Sequence, residues 1–333
     1  MVSPISVRVH CQHRQGYDGI ATITEEAYGA AAERHPDVAR RVEISFGLTP
    51  EELRQGMATA DVLVGTAGVI RASFPISAPR LKWIFTTSAG VDKLVPFDWA
   101  PPGVQVANNS GAHGRKAAEF AQMALLILHN RMQVFAANQR EKRWQKIFSS
   151  SIAGRTLVVA GIGGIGGASA ESARRLGMTV IGVRNRPEPH AACDRVVEAS
   201  RLDEVLPLAD YLLIALPLTP ATTRLFDRRR LDLLKPGASL INIARGRVID
   251  SDAVADKLDR GELSGAVLDV FDQEPLPADS RLWNTRNLIV TPHVSSEDVE
   301  MHVAHSLDIF FEHLRCWLED KPLPNLIDPA RGY

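Results

Sequence analysis

Cysteine is scarce. The 333-residue chain has 3, namely Cys11, Cys193 and Cys316, far apart and with no CxxC pair. That excludes a disulfide framework and a structural zinc site, and it fits a reducing compartment. An excess of charge of one sign is lacking too. Lys and Arg number 38 against 39 Asp and Glu, for a formal net charge of −1, so bulk attraction to nucleic acid or an anionic membrane is not expected. No long apolar run occurs, and the longest, around Met123–Leu128, falls far short of a membrane span. The residues from Met1 to Ser6 carry no signal-peptide pattern. Solenoid repeats and low-complexity tracts are missing as well. The expectation is a cytoplasmic globular protein, 45% hydrophobic and 23% charged, long enough for two domains.

What is present is an alternation of strand and helix, in two runs. In the first, Ile5–Val9, Val42–Phe46, Asp61–Gly65, Leu81–Thr86 and Val104–Ala107 read as strands. Helices start at Thr24, a candidate N-cap, and at Thr49-Pro50-Glu51-Glu52, where a cap precedes a proline and acidic residues. Gly111 to about Arg143 is helical in pattern, lacks proline, and suggests one helix bridging two domains. The second run has strands at Arg155–Ala160, Thr179–Val183, Tyr211–Ala215, Ser239–Ile243, Ala266–Val270 and Leu288–Val290. Helices fall at Ile165–Leu176, Leu202–Leu206 and Asp250–Arg260, the last closed by Gly261 in the manner of a left-handed cap. A final helix spans roughly Ser296–Glu319. The alternation implies an α/β protein of parallel sheets covered by helices on both faces.

The first strand of the second run leads into Gly161-Ile162-Gly163-Gly164-Ile165-Gly166 and then a helix. Strand, glycine turn and helix together are the setting in which a dinucleotide binds. Gly161 permits the turn, Gly163 admits the pyrophosphate, Gly166 allows close helix packing, and the first helical amides, from Gly164 and Ile165 on, hold phosphate. Past the second strand come Arg184-Asn185-Arg186, where a carboxylate would meet a free ribose 2′-hydroxyl. Two guanidinium groups suit a 2′-phosphate instead, which points to NADP, with NAD as the alternative. Downstream stand Arg245 in Asn242–Gly246, Glu274 in Asp269–Pro275 and His293 in Thr291–His293. Arg can hold a carboxylate and polarise a carbonyl, His can carry a proton near neutral pH, and Glu can orient the His. Such a set describes hydride and proton transfer on a 2-oxo or 2-hydroxy acid. His113, His302 and His305 show no metal-ligand spacing, and no metal is expected. Trp144 reads as core or subunit packing.

Through these segments, together with Thr87–Asp92, Asn108–Gly111 and Leu216–Thr219, nearly the whole chain resembles the D-isomer-specific 2-hydroxyacid dehydrogenase family, glyoxylate and hydroxypyruvate reductases included. The resemblance implies a flavodoxin-like substrate domain of residues 1–110 and 297–333, a Rossmann cofactor domain of residues 111–296, and a homodimer formed largely through the latter. It implies that Arg245 binds the substrate carboxylate and carbonyl, that His293 is the acid–base, and that Glu274 hydrogen-bonds His293. Ala89 and Gly90 would hold the substrate carboxylate through backbone N–H groups. Leu216, Pro217, Ile243 and Ala244 would border the cofactor, and Asp269 would meet the nicotinamide carboxamide. Gly65–Ile70 carries no cation, so a plain 2-oxo acid is favoured over a phosphorylated one. A formate dehydrogenase, similar in fold, would carry Gln where Glu274 stands. A dinucleotide-sensing corepressor of the same fold is the non-enzyme alternative, although the tails such proteins carry have no counterpart here.

Overall fold

The computed structural model describes residues 7–14, 21–329 and 331–332. The chain forms two compact units, one of residues up to Ala112 together with those from Asp298 on, the other His113–Glu297. Both are three-layer α/β structures, as the alternating pattern implied.

In the first unit the chain runs β1 (Val7–Gln12), α1 (Glu25–Arg34), α2 (Pro36–Ala39), β2 (Val42–Gly47), α3 (Pro50–Met57), β3 (Val62–Gly65), α4 (Ala67–Ser73), β4 (Trp83–Thr86) and β5 (Gln105–Ala107). All strands are parallel, in the order β2-β1-β3-β4-β5, the doubly wound order of flavodoxin. A sheet covered on both faces needs near-continuous apolar strands, and β3 and β4 are buried throughout. Local signals start the helices. Thr24 accepts from the Ala27 amide at 3.1 Å. Thr49 accepts from the Glu52 amide at 3.3 Å while Glu52 accepts from the Thr49 amide at 2.9 Å, closing a capping box ahead of Pro50.

The second unit holds α5 (Gly114–His129), α6 (Met132–Arg140), β6 (Thr156–Ala160), α7 (Gly164–Arg175), β7 (Thr179–Arg184), β8 (Arg195–Glu198), α8 (Leu202–Val205), β9 (Tyr211–Ile214), α9 (Arg228–Leu231), β10 (Ala238–Asn242), α10 (Ser251–Asp259), β11 (Leu263–Leu268) and β12 (Leu288–Val290). Its seven parallel strands lie in the order β12-β11-β10-β9-β6-β7-β8, the dinucleotide-binding order with one strand added. Two apolar clusters, one around Leu212, Leu240 and Leu268 and one around Leu125, Leu157 and Leu213, fill the two faces. The last helix, α11 (His302–Leu318), belongs to the first unit. There its Phe310 ring meets Phe85 and Trp83 of β4, centroids 5.3 and 5.8 Å apart.

Several expectations need correcting. The helix foreseen from Gly111 to Arg143 is two helices. Asn130 ends α5 by donating both its amide and its side chain to the Leu126 carbonyl, at 3.0 and 2.9 Å, and Arg131 then takes a left-handed φ of 57°. β8 was missed because its charged ends, Arg195 and Glu198, break the apolar pattern at a sheet edge. The final helix starts at His302, not Ser296, because Asp298 caps a preceding turn through the amides of Glu300 and Met301. Gly65–Ile70 is the end of β3 and the start of α4, with the Thr66 hydroxyl on the Val69 amide. The first strand begins at Val7; Ile5 and Ser6 lie outside the described residues. Trp144 is not core, since it is 93% exposed.

Among the histidines buried in the first unit, His10, His13 and His313 have imidazoles that burial pushes below their ordinary value. Neutral in the folded chain, they protonate once unfolded, so the unfolded state binds more protons below a pH of about 6.5. Stability should therefore be intact above that value and fall as pH drops toward the folded pKa values, by at most about 1.4 kcal/mol per pH unit for each histidine. Urea midpoints at about pH 7.5 and about pH 5.5 should separate in wild type and separate less in His10→Gln, where His13 and His313 remain. An equal separation in the variant would remove His10 from this linkage.

Candidate active site

In a parallel sheet every strand ends at the same edge, and the loops after those ends gather the second unit's polar residues. After β6, Gly161 has a φ of 97°, a conformation that glycine adopts freely, and a Cβ there would stand 2.6 Å from the Ala215 carbonyl oxygen. The turn thus lies directly against the exit of β9 and Leu216. A Cβ on Gly166 would stand 1.8 Å from the Gly161 oxygen, so α7 packs on the turn only because that side chain is missing. Gly163 differs: a Cβ there would meet nothing within 4 Å. No side chain caps α7. Its Gly167 amide bonds back to the Gly163 carbonyl at 2.8 Å, and helix geometry points the amides ahead of it, at Gly164 and Ile165, out of the helix end. Open space above uncapped amides fits a pyrophosphate.

At the end of β7, Arg184 is half-buried, whereas Asn185 and Arg186 are exposed. The sequence reading found no carboxylate here, and the fold supplies one. Glu188 Oε2 lies 3.8 Å from Arg184 Nη2, because the Pro187–Pro189 loop turns back beside the strand end.

The ends of β10, β11 and β12 bring the candidate catalytic residues together. After β10, Asn242 shapes the loop, its side chain accepting from the Ala244 amide at 3.1 Å and donating to the Arg245 carbonyl at 3.2 Å. Arg245 is half-buried, with Nη1 donating to the Ala244 carbonyl at 2.8 Å. Gly246 follows in contact with the β11 loop, for a Cβ there would stand 1.9 Å from the Phe271 carbonyl carbon. In that loop Glu274 Oε1 accepts from the Phe271 amide at 3.0 Å, and Oε2 lies 2.7 Å from His293 Nδ1. His293, after β12, has a left-handed φ of 56°, tolerated by His but uncommon.

Asp269 sets that position. It is fully buried, and Oδ1 accepts from the Thr291 hydroxyl at 2.6 Å and the Val294 amide at 3.0 Å, Oδ2 from the Ser295 amide at 3.0 Å. Its own carbonyl accepts from the His293 amide at 2.8 Å. The structure therefore gives Asp269 a role the sequence reading missed, as the anchor of the His293 loop. The Asp269–Pro275 motif did contain the signal, a carboxylate at the inner end of a strand.

Ile243 and Ala244 are buried at the exit of β10, while beside the glycine turn Leu216 is half-buried and Pro217 exposed. Ala89 and Gly90 belong to the first unit, half-buried at the exit of β4 in a loop whose Ser88 hydroxyl accepts from the Ala67 amide at 3.2 Å.

Comparison with known proteins gives this edge a family. The model of the D-isomer specific 2-hydroxyacid dehydrogenase NAD binding domain matches residues 122–295. Glyoxylate/hydroxypyruvate reductase B of Pectobacterium carotovorum is 32% identical over 272 residues, 78% of this chain and 85% of that protein. D-3-phosphoglycerate dehydrogenase 2 of Arabidopsis thaliana is 34% identical over 276 residues, 80% of this chain but 44% of that protein. The chain thus spans about half the length of the phosphoglycerate dehydrogenases it matches, 56% for the Mycobacterium tuberculosis protein. Among solved structures, a D-isomer specific 2-hydroxyacid dehydrogenase of Xanthobacter autotrophicus in complex with NADPH superposes with a TM-score of 0.82 at 28% identity, covering 98% of this chain and all of that one (100%). The chain belongs to the D-isomer specific 2-hydroxyacid dehydrogenase family, and its second unit carries that family's NAD-binding domain.

The glycines give a paired test. Gly163→Ala should leave unfolding unchanged and weaken dinucleotide binding roughly tenfold, equivalent to about 1.4 kcal/mol. Gly166→Ala should destabilise the fold by about 1–3 kcal/mol or more, since a backbone oxygen cannot yield. Urea unfolding and cofactor titration of both variants check this; the reverse pattern would mean that the turn serves packing alone.

Proposed function

We propose that this chain reduces small 2-oxo acids to D-2-hydroxy acids with NADPH. The observation that carries the reading is the 2.7 Å contact between His293 Nδ1 and Glu274 Oε2. An ionised carboxylate only accepts, so Nδ1 holds the hydrogen of that bond and Nε2 is the nitrogen left to exchange a proton with substrate. A dinucleotide held by its pyrophosphate at the Gly161–Gly166 turn would supply the hydride from its nicotinamide. His293 Nε2 delivers the proton to the oxygen that becomes the hydroxyl. Arg245, one loop away, offers a planar fork that can span the carboxylate and the carbonyl oxygen of one 2-oxo acid.

Arg184 and Arg186 support NADPH over NADH, because a dianionic 2′-phosphate calls for cations at the end of β7. The NADPH complex of the Xanthobacter relative and the naming of the Pectobacterium relative as a glyoxylate/hydroxypyruvate reductase agree with this reading. Exposed Trp144, Phe148 and Met132 favour a homodimer formed through the second unit.

His293→Gln should cut reduction by about 10²–10⁴-fold with NADPH affinity retained; near-normal turnover would exclude His293 as the proton carrier. Glu274→Gln should lower kcat more than it raises KM, because the ring loses its fixed orientation. Arg184→Asp should weaken NADPH by roughly one to two powers of ten, in line with charge-assisted hydrogen bonds. Glu188→Gln should tighten NADPH modestly, since the phosphate no longer competes with a carboxylate for Arg184. Titration of both cofactors decides it: equal wild-type affinity for NADH and NADPH would withdraw the preference.

A further inference from the structure

The N-terminal ends of the second unit's strands, the edge away from the glycine turn, form a separate polar pocket of about 300 Å³. β9, from Tyr211 to Ile214, separates it from the reactive loops by roughly 13–17 Å of strand. Three cations line this pocket, Arg131, Arg155 and Lys235, against one carboxylate, Asp210. Asp210 is already engaged. Its Oδ1 takes Lys235 Nζ at 3.0 Å, and its Oδ2 takes the Thr156 amide at 2.8 Å. Arg131 and Arg155 instead reach neutral oxygens, the Ser264 carbonyl and the Ser150 hydroxyl, each at 3.1 Å. Among the described residues neither has a carboxylate partner at ion-pair distance, whereas most arginines of this chain do.

The wall of the pocket is built rather than incidental. Arg131 enters it from the left-handed break between α5 and α6, a conformation that costs energy in a non-glycine residue. Tyr211 and His129 form a relay beside it. His129 Nε2 donates to the Ser150 carbonyl at 2.7 Å, which leaves Nδ1, 2.7 Å from the Tyr211 hydroxyl, to accept from it when the ring is neutral. Burial pushes the Tyr211 phenol up to about 12, so it stays protonated and able to donate. Two guanidinium forks and an ammonium brought from different elements match an anion with several oxygens around one centre. A planar carboxylate would engage one fork only.

We infer that this pocket is a second anion site that binds a phosphate group, carried by the inorganic ion or by a small phosphomonoester, whose two negative charges balance the surplus of two cations. It is distinct from the cofactor site and does not depend on the reaction proposed above. Its position at the start of β9 and β10 places it on strands whose far ends carry Ala215 and Asn242 of the reactive edge.

The test is calorimetric titration of the full chain with inorganic phosphate and with glycerol 3-phosphate, at constant ionic strength set with chloride. Phosphate that enters the cofactor site binds wild type and pocket variants alike, so the difference between them isolates this pocket. Arg155→Gln, at an exposed position, should weaken the phosphate binding by about tenfold or more, as the loss of a charge-assisted contact implies. Arg131→Gln should act in the same direction, and unchanged NADPH affinity in both variants would certify their fold. Tighter binding of glycerol 3-phosphate would identify an ester as the natural occupant, and equal binding the free ion; both support the site. Phosphate binding that is unchanged in both variants, or absent from wild type at millimolar phosphate, overturns it.

Discussion

Asp269 is a carboxylate with no contact to solvent, placed where β11 ends. An anion in such a place is tolerated only when its lone pairs are met, and three donors from one segment meet them: the Thr291 hydroxyl and the amides of Val294 and Ser295. The satisfaction is mutual. The donors need the buried carboxylate as much as it needs them, so residues 291–295 have one conformation, and His293 is held in the left-handed region within it. An unpaired carboxylate would cost more than the strain at one residue. An imidazole fixed in this way owes its position to the interior of the sheet rather than to the surface loop on which it stands.

The remaining geometry follows from parallel strands and from close backbone approach. Gly246 lets the loop after β10 touch the backbone at Phe271, which sets Arg245 next to the Glu274 loop. Gly161 brings the phosphate turn onto the exit of β9 in the same way. Asn242 links the two ends, for its carbonyl accepts from the Asp269 amide at 3.0 Å while its side chain shapes the Arg245 loop. Four strands thus deliver a phosphate cradle, a cation, a carboxylate and an imidazole to one edge. The same parallel arrangement leaves the opposite edge with strand N-termini, where unpaired arginines gather around Tyr211.

Both folds could be read from the chain, and Arg245, Glu274 and His293 picked out as candidates, because these signals are local. Strand, glycine turn and helix are contiguous at 155–176, and Arg245, Glu274 and His293 each sit in a short motif just past an apolar strand. Other features depend on what meets what in space. Glu188 reaches Arg184 only because a proline-flanked loop turns back, and spacing alone suggested that no carboxylate was near. Asp269 stands in a motif that suggests a ligand contact, and only the fold shows that its carboxylate also holds the His293 loop. The break at Asn130 was hidden by strong helical composition on both sides, since a cap is a competition between side chain and backbone that a helical pattern does not reveal. Trp144, which suggested core or subunit packing, is covered by none of the described residues, which leaves only the second.

The central claim is that one sheet edge both holds a dinucleotide and moves a proton to a 2-oxo acid. Loss of nicotinamide absorbance from NADPH on addition of a panel of 2-oxo acids, glyoxylate and hydroxypyruvate among them, followed by chiral analysis of the hydroxy acids that carry a stereocentre, tests it most directly. The account predicts one NADPH oxidised per acid reduced, with only the D-isomer formed. Tight NADPH binding without oxidation by any member of the panel would contradict it, and would leave the edge as a dinucleotide sensor rather than an active site.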